Sequence, residues 1–275
     1  MSLLEHIRQS LKGSLNQTQR DKIVRFQALH CRRIQHFTYG LFMGSNLKAL
    51  ATVYGTDKWG RHWYAKHYET HFAPLRRQQL NVLEIGVGGY EDPGSGGASL
   101  RMWRTYFPKG QIYGIDIHDK SAHDDRRIKT FRGSQVDEHF LEEVLKTIGR
   151  VDIIIDDGSH QNEHVLTTFN FLFPRLSENG IYVIEDTQTS YWRGYGGSSD
   201  ELNRLDTTMG FLKHLIDGLN YAEVEKENYI PTYLDRHIVG MHFYHNMVLI
   251  RKGMNNEHGD HIAREVKSAV VDIEM

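Results

Sequence analysis

Residues 151–186 constrain this chain more than any other stretch. Two short apolar runs, Val151–Ile155 and Ile181–Ile184, each end in a pair of carboxylates, Asp156-Asp157 and Glu185-Asp186. Between them Val165, Phe169, Leu172 and Leu176 recur at three- or four-residue spacing. Continuous apolar runs flanking a helical pattern predict a strand–helix–strand unit whose strands are parallel and covered on both faces. A right-handed crossover then brings both carboxylate pairs to the same edge of one sheet. Neighbouring strands lie about 5 Å apart, so the two acidic tips converge. Four carboxylates in one crevice repel one another unless a proton, a metal or a cationic ligand compensates. The chemistry is expected at this edge.

The rest of the chain fits a sheet of this kind. Residues 80–89, LNVLEIGVGG, read as a buried strand running into a glycine-rich turn. Gly86, Gly88 and Gly89 allow a sharp turn and close approach of the backbone to a ligand. A dinucleotide fingerprint would need glycine at position 91, where Glu91 stands, so that motif fails. The following EDPGSGGASL reads as a flexible loop before a helix at 99–107, with Ser99 as its cap. Residues 111–116, QIYGID, form a second strand, and an acid at its end, Asp116, fits hydrogen bonding to ribose hydroxyls. As a lone residue Asp116 fits a turn or a helix cap equally well. A third strand near 128–132 leads into Gly133-Ser134-Gln135-Val136-Asp137, where an adenine would lie against Gln135 or Asp137.

Beyond the acidic edge, Tyr191, Trp192 and Tyr195 interleave with Gly194, Gly196 and Gly197. Aromatics in a glycine-rich loop at a catalytic edge suit a mobile lid over a sugar or aromatic acceptor. Residues 209–219 are expected to be helical. The runs 238–244 and 247–251 around His245-Asn246 predict a final antiparallel hairpin. Upstream, His62, His67 and His71 share no clean helical face, so the aromatic segment 62–71 reads as a half-exposed helix over the sheet rather than a metal site.

Composition bounds the setting. Residues 1–50 carry Arg8, Lys12, Arg20, Lys22, Arg25, Arg32, Arg33 and Lys48 against Glu5 and Asp21, while the whole chain is close to neutral at −2. The division expected is a helical arm at 1–50, a catalytic domain at 51–253 and a polar tail at 254–275. The arm serves packing, a lid or oligomerisation, with an acidic membrane surface or a partner chain as the rival reading. The lone cysteine, Cys31, rules out an intrachain disulfide and points to a reducing, cytoplasmic setting. No apolar run approaches a membrane span, and the charge balance does not point to nucleic acid. A homo-oligomer is expected.

At the acidic edge Asp157, Glu185 and Asp186 offer hard oxygens with no thiol cluster, which suits Mg2+ (or Mn2+ or Ca2+) better than Zn2+. Aliphatic hydroxyls are very weak acids, so acting on one also requires a base. His160 stands three residues after Asp157, and His164 lies one turn further on a similar face. Spacing leaves both open. Capping at Asp157 and solvated charges at Glu185 and Asp186 are the bland alternative.

The segments LEIGVGGY, SLRMW, YFPKG, DIIIDDGSH, LFPRL and YVIEDTQTSYW, preceded by GTDKWG, together resemble the metal-dependent sugar O-methyltransferases of macrolide and rhamnosyl pathways. The similarity runs from about Gly55 to Ser198. It implies a class I methyltransferase fold, an α/β Rossmann-like doubly wound sheet that is mostly parallel with a C-terminal antiparallel hairpin. It also implies S-adenosylmethionine as donor, Mg2+ on Asp157, Glu185 and Asp186, and His160 as the base acting on a sugar hydroxyl. Thr56, Lys58, Glu84, Gly86, Gly88, Gly89, Ser99, Asp116, Ser134, Gln135 and Asp157 would hold the donor. Tyr191, Trp192 and Tyr195 would close over a glycosylated small-molecule or glycan acceptor. Two rivals remain: a catechol-type enzyme acting on a phenol, and a donor-binding subunit without turnover. The macrolide enzymes carry a much larger N-terminal region than the arm here.

Overall fold

The computed structural model describes residues 38–40 and 42–256. Most of the basic arm, with Cys31, and most of the polar tail lie outside the described residues. In chain order the main elements are helix α1 (Leu47–Tyr54), helix α2 (Tyr64–Phe72), strand β1 (Asn81–Ile85), helix α3 (Ala98–Tyr106), strand β2 (Gln111–Asp116) and strand β3 (Ile128–Arg132). Helix α4 (Glu138–Ile148), strand β4 (Ile153–Asp156), helix α5 (Asn162–Leu172) and strand β5 (Ile181–Glu185) follow. Helix α6 (Thr208–Gly218), helix α7 (Tyr233–His237), strand β6 (Ile238–Tyr244) and strand β7 (Met247–Lys252) complete the set.

The sheet runs β3-β2-β1-β4-β5-β7-β6, with β1 to β5 parallel and β7 antiparallel to both its neighbours. This is the class I methyltransferase topology expected from the sequence, hairpin included. In β4 and β5 the pairing Asp156↔Ile184 sets the acidic tips side by side.

Strand parity decides which side chain goes to which layer, because alternate residues point to opposite faces. Val82, Ile153, Ile155 and Val183 face a core built by Leu47, Leu50, Tyr68, Phe72 and Trp103 from α1 to α3. Leu83, Ile154, Tyr182 and Ile184 face the other core, with Leu141, Phe169, Leu172 and Leu212 from α4 to α6. Glu84 and Glu185 share parity with the first set, and Asp156 with the second. The carboxylates at the strand tips are thereby dealt to different sides before any loop is considered.

Several local details differ from the sequence expectation. Helix α5 ends at Leu172 and tightens into a 3-10 turn over Phe173–Arg175, because Pro174 sits at the start of that turn and has no N–H to continue the helix. Helix α3 is entered from Gly97 at φ 65 with no side-chain cap, so Ser99 does not cap it. The boundary expected at residues 50–51 falls inside α1, where Leu47, Leu50 and Ala51 are all buried in the core. Among the described residues no helix is long and apolar enough to cross a membrane.

Phe169 centres the second core, with ring contacts to Phe173, Tyr182 and Phe211 at 5.0, 5.0 and 5.8 Å and no exposed surface. Phe169→Ala is expected to lower stability by about 3–5 kcal/mol, read as a shifted midpoint in urea unfolding.

Candidate active site

The site lies at the carboxyl ends of β1, β4 and β5, where the parallel strands open into loops. Directly after β1, the Gly86 N–H bonds to Ile115 O at 2.8 Å. A Cβ at Gly86 would meet Asp157 O at 2.0 Å, and the backbone φ there is 90°, so only glycine fits between the two strand tips. The loop that follows, expected to be flexible, is clasped. The buried Lys120 ammonium donates to the carbonyls of Tyr90, Asp92 and Ser95 at 2.6, 2.8 and 3.3 Å. Asp116 fixes the loop's start, accepting the Val87 N–H at 3.0 Å and the His118 N–H at 2.9 Å.

One layer deeper sits a charge cluster that the sequence reading did not resolve. Lys58 is fully buried, and its ammonium lies 2.8 Å from Asp157 Oδ2, 2.7 Å from Glu185 Oε1 and 3.4 Å from Glu84 Oε1. Thr56 accepts the Lys58 N–H at 3.1 Å and so shapes the turn that delivers it. Glu84 is completed by Ser99 Oγ at 2.7 Å and Trp103 Nε1 at 3.2 Å. Tyr68 donates its hydroxyl to Glu185 Oε1. Burial pushes the Lys58 ammonium down, but the Asp157, Glu185 and Glu84 carboxylates outweigh it and hold it well above lysine's ordinary value. Burial carries Glu185 well above the glutamate range; the Asp157 charge adds to this and Lys58 opposes it.

The solvent side of the cluster is different. His160 Nε2 stands 4.0 Å from Asp157 Oδ1 and 3.7 Å from Asp186 Oδ2. Asp186 Oδ1 accepts the Tyr64 hydroxyl at 2.7 Å and lies 3.9 Å from His62 Nδ1. Burial alone would raise Asp186, but the Tyr64 hydroxyl, with His160 and His62, outweighs it and holds the carboxyl below the usual aspartate value. His160 and Asp186 both adopt positive φ, 57° and 52°, a strained conformation that is enriched at functional sites. His164 is turned away and shares a hydrogen bond with Ser159 Oγ at 2.8 Å. The geometry therefore separates the two histidines that spacing left open.

The donor atoms of Asp157, His160 and Asp186 lie within 4.8 Å of one another, close enough to surround one divalent ion. Glu185, expected as the third carboxylate of that set, is not among them. Its strand parity turns it toward Lys58 and Tyr68, and His160 stands in the group instead. Asp156 also leaves the crevice: burial pushes it up to about 7, with the Asp157 charge adding, while the Gly158 N–H and Gln135 pull it down.

Some expected donor contacts take structural work instead. Gln135 is buried, with Nε2 on Asp156 Oδ1 and Thr168 Oγ1 at 3.3 and 3.1 Å and Oε1 accepting the Ser159 N–H at 2.8 Å. Both ends of the amide are committed inside the protein. Asp137 caps α4 by accepting the Phe140 N–H at 3.0 Å. Ser134 stays half-exposed in the loop after β3. Glu84 and Ser99 satisfy each other inside the protein, behind the glycine turn.

The aromatic segment beyond β5 is not a loose loop. It forms two 3-10 turns, Thr187–Tyr191 and Arg193–Tyr195. Asn162 Nδ2 ties both, donating to Thr189 O at 3.2 Å and Tyr195 O at 2.7 Å. Tyr191 and Trp192 still present their rings to solvent, while Tyr195 is half-buried against Trp192, ring centres 5.8 Å apart.

Sequence reasoning missed Tyr64, Tyr68 and the position of His62. A signal existed: Tyr64 and Tyr68 stand four apart on one helix face, directly after Lys58. His62, set aside with the other histidines, stacks on Tyr64 at 4.8 Å. His67 and His71 instead gather around Tyr244, away from the carboxylates.

A methyltransferase-domain family model matches residues 94–187. The chain is 50% identical over 216 residues to the mycinamicin VI 2''-O-methyltransferase of Micromonospora griseorubida, covering 78% of this chain and 54% of that protein. It is 48% identical over 214 residues to the 8-demethyl-8-alpha-L-rhamnosyl tetracenomycin-C 2'-O-methyltransferase of Streptomyces olivaceus, covering 78% of this chain and 56% of that protein. The crystal structure of the MycE methyltransferase of the mycinamycin pathway with Mg and SAH superposes with a TM-score of 0.76 at 50% identity, over 78% of this chain and 56% of the other. A further structure of that protein, in complex with Mg, SAH and mycinamycin VI, gives 0.75. The chain spans about half the length of the curated relatives it matches.

Lys58→Met removes the one buried cation from Glu84, Asp157 and Glu185. The variant is expected to lose about 3–5 kcal/mol at neutral pH. The stranded carboxyls, already raised by burial, then hold protons in the folded state that the unfolded state releases. Folding consequently binds protons, and stability must recover as pH falls from about 7 toward about 5. Urea unfolding across that range checks the sign.

Proposed function

We propose that this chain transfers the methyl group of S-adenosylmethionine, with Mg2+, to a sugar hydroxyl of a glycosylated natural product or glycan, a reading supported by its 50% and 48% identity to the two O-methyltransferases named above. The observation that carries this reading is His160 Nε2, set between one oxygen of Asp157 and one of Asp186 at the open ends of β4 and β5. An imidazole backed by two carboxylates is the arrangement a weakly acidic alcohol requires. The donor set also fits the ion: two hard carboxylate oxygens face one point, and Mg2+ prefers oxygen over nitrogen. That preference leaves the His160 nitrogen for the proton.

When bound, the donor supplies an electrophilic methyl group and the ion supplies positive charge beside the acceptor oxygen. Asp157 and Asp186 would hold the ion, with Glu185 as the third carboxylate of the same edge. The glycine turn at Gly86, Gly88 and Gly89 lets the backbone approach the donor, and the Asp116 oxygens keep lone pairs for ribose hydroxyls. His160 Nε2 would take the proton of the sugar hydroxyl, whose new bond to the methyl carbon replaces the donor's methyl–sulfur bond, a neutral thioether being the leaving group. The His160 side chain is 23% exposed, so the proton can then pass to solvent. Tyr191 and Trp192 offer flat apolar faces for the sugar ring. Methyl transfer is an in-line displacement, so positioning and deprotonation supply most of the rate.

His160→Ala is expected to lower kcat by about 10²–10⁴-fold while donor affinity, followed by calorimetry, stays within error. Turnover indifferent to this change would point to a phenolic acceptor, whose hydroxyl is acidic enough to need no base. Removing divalent ions with a chelator should abolish methylation of a rhamnosyl acceptor, and added Mg2+ should restore it. Activity that survives chelation would remove the ion from the mechanism.

A further inference from the structure

The loop from β1 to α3 contains no helix or strand, yet its two limbs touch backbone to backbone. A Cβ at Gly89 would strike the Ser95 carbonyl, and one at Gly96 the Gly88 carbonyl. The Gly97 N–H closes the neck on Val87 O at 2.8 Å. Tyr90 starts the tip at φ 47°, a left-handed conformation that strains a side chain of its size. Residues 90–95 are all exposed, and an exposed tip of this kind is ordinarily mobile. The segment after β2 holds it at three points. Asp116 Oδ2 accepts the Val87 N–H at 3.0 Å where the loop begins. His123 Nε2 lies 3.1 Å from Ser95 O where the loop returns. Lys120, itself buried, donates to Tyr90 O, Asp92 O and Ser95 O at 2.6, 2.8 and 3.3 Å. All three partners are backbone carbonyls, so the ammonium fixes main chain rather than another side chain.

We propose that Lys120 is a positioning residue of the methyl-donor site, locking this loop in its ligand-ready shape before the donor arrives. This rests on the donor reading given above. Gly88 and Gly89 form the near limb of the loop, and their course depends on where the tip is pinned. A ligand that meets a loop already in its bound shape loses less affinity to ordering it. Lys120 is buried, so it acts on the donor through the loop alone and takes no part in the displacement. Its loss therefore weakens donor binding and spares the rate at saturating donor. A lysine that merely supported the fold would lower both.

The test uses the full chain with S-adenosylhomocysteine as the probe, its affinity read by calorimetry. Lys120→Ala should bind the probe on the order of tenfold more weakly, while kcat on a rhamnosyl acceptor at saturating donor stays near that of the unaltered protein. Propylammonium matches the part of the side chain removed, and adding it should restore part of the lost affinity. Unchanged affinity in Lys120→Ala, or an equal fall in affinity and kcat, overturns the inference and leaves the donor reading standing. Amide hydrogen exchange of the unaltered protein needs no variant. The Asp92, Ser95 and Gly97 N–H groups, bonded across the loop, should be protected before the probe is added. Protection that arises only with the probe overturns the inference whether or not the variant folds. Failure of the unaltered protein to bind the probe defeats the donor reading, and the inference with it.

Discussion

The buried ammonium of Lys58 is the interaction on which the site depends. Three carboxylates, Glu84, Asp157 and Glu185, come from three neighbouring strands and meet where water is excluded. An uncompensated charge there would cost several kcal/mol, and mutual repulsion would push the strand tips apart. One cation shared among three acids, with burial carrying Glu185 well above the glutamate range, relieves both problems. It also divides the acidic edge in two: an inner part that is compensated by Lys58, and an outer part where Asp157 Oδ1 and Asp186 Oδ2 face His160. The turn and helix at residues 56–68 are therefore part of the active edge, although they precede the first strand.

Much of this was legible in the residues. Apolar runs fixed the parallel strands, the glycine turn marked the ligand-facing loop, and the His245-Asn246 pair marked the hairpin. Strand parity was legible as well: Val183 points to the α2 side, so Glu185 must, and Ile154 points to the α5 side, so Asp156 must. Grouping Glu185 with Asp157 and Asp186 on one side of the sheet overlooked that rule. Parity would have left Asp157 and Asp186, the first residue beyond each strand, as the pair able to face the crevice.

Other features were hidden because they depend on long-range packing. Gln135 reads as an exposed loop residue, yet the buried Asp156 needs partners, and Gln135 with Thr168 surrounds it. Ser99 sits where a helix cap should, but Gly97 in a left-handed conformation makes the entry and frees Ser99 for Glu84. The glycine-rich aromatic segment has a loop's composition, and anchors from other elements, Asn162, Asn246 and the Met209 N–H, turn it into a fixed wall. In each case a partner distant in sequence outbids the local preference. His160 and His164 differ in the same way: their spacing is nearly equivalent, and the Ser159 hydroxyl decides between them.

The placement of β7 carries one more consequence. It inserts between β5 and β6, and the turn that leads into it supplies Asn246, whose carbonyl accepts from both Thr187 N and the Tyr64 hydroxyl. Until residues 245–252 leave the ribosome, β5 has an unpaired edge and the segment after it lacks its anchor. The carboxyl end of β5 is thus set by the last strand among the described residues. A nascent chain holds the glycine turn and the first acidic pair well before β7 can seat the second.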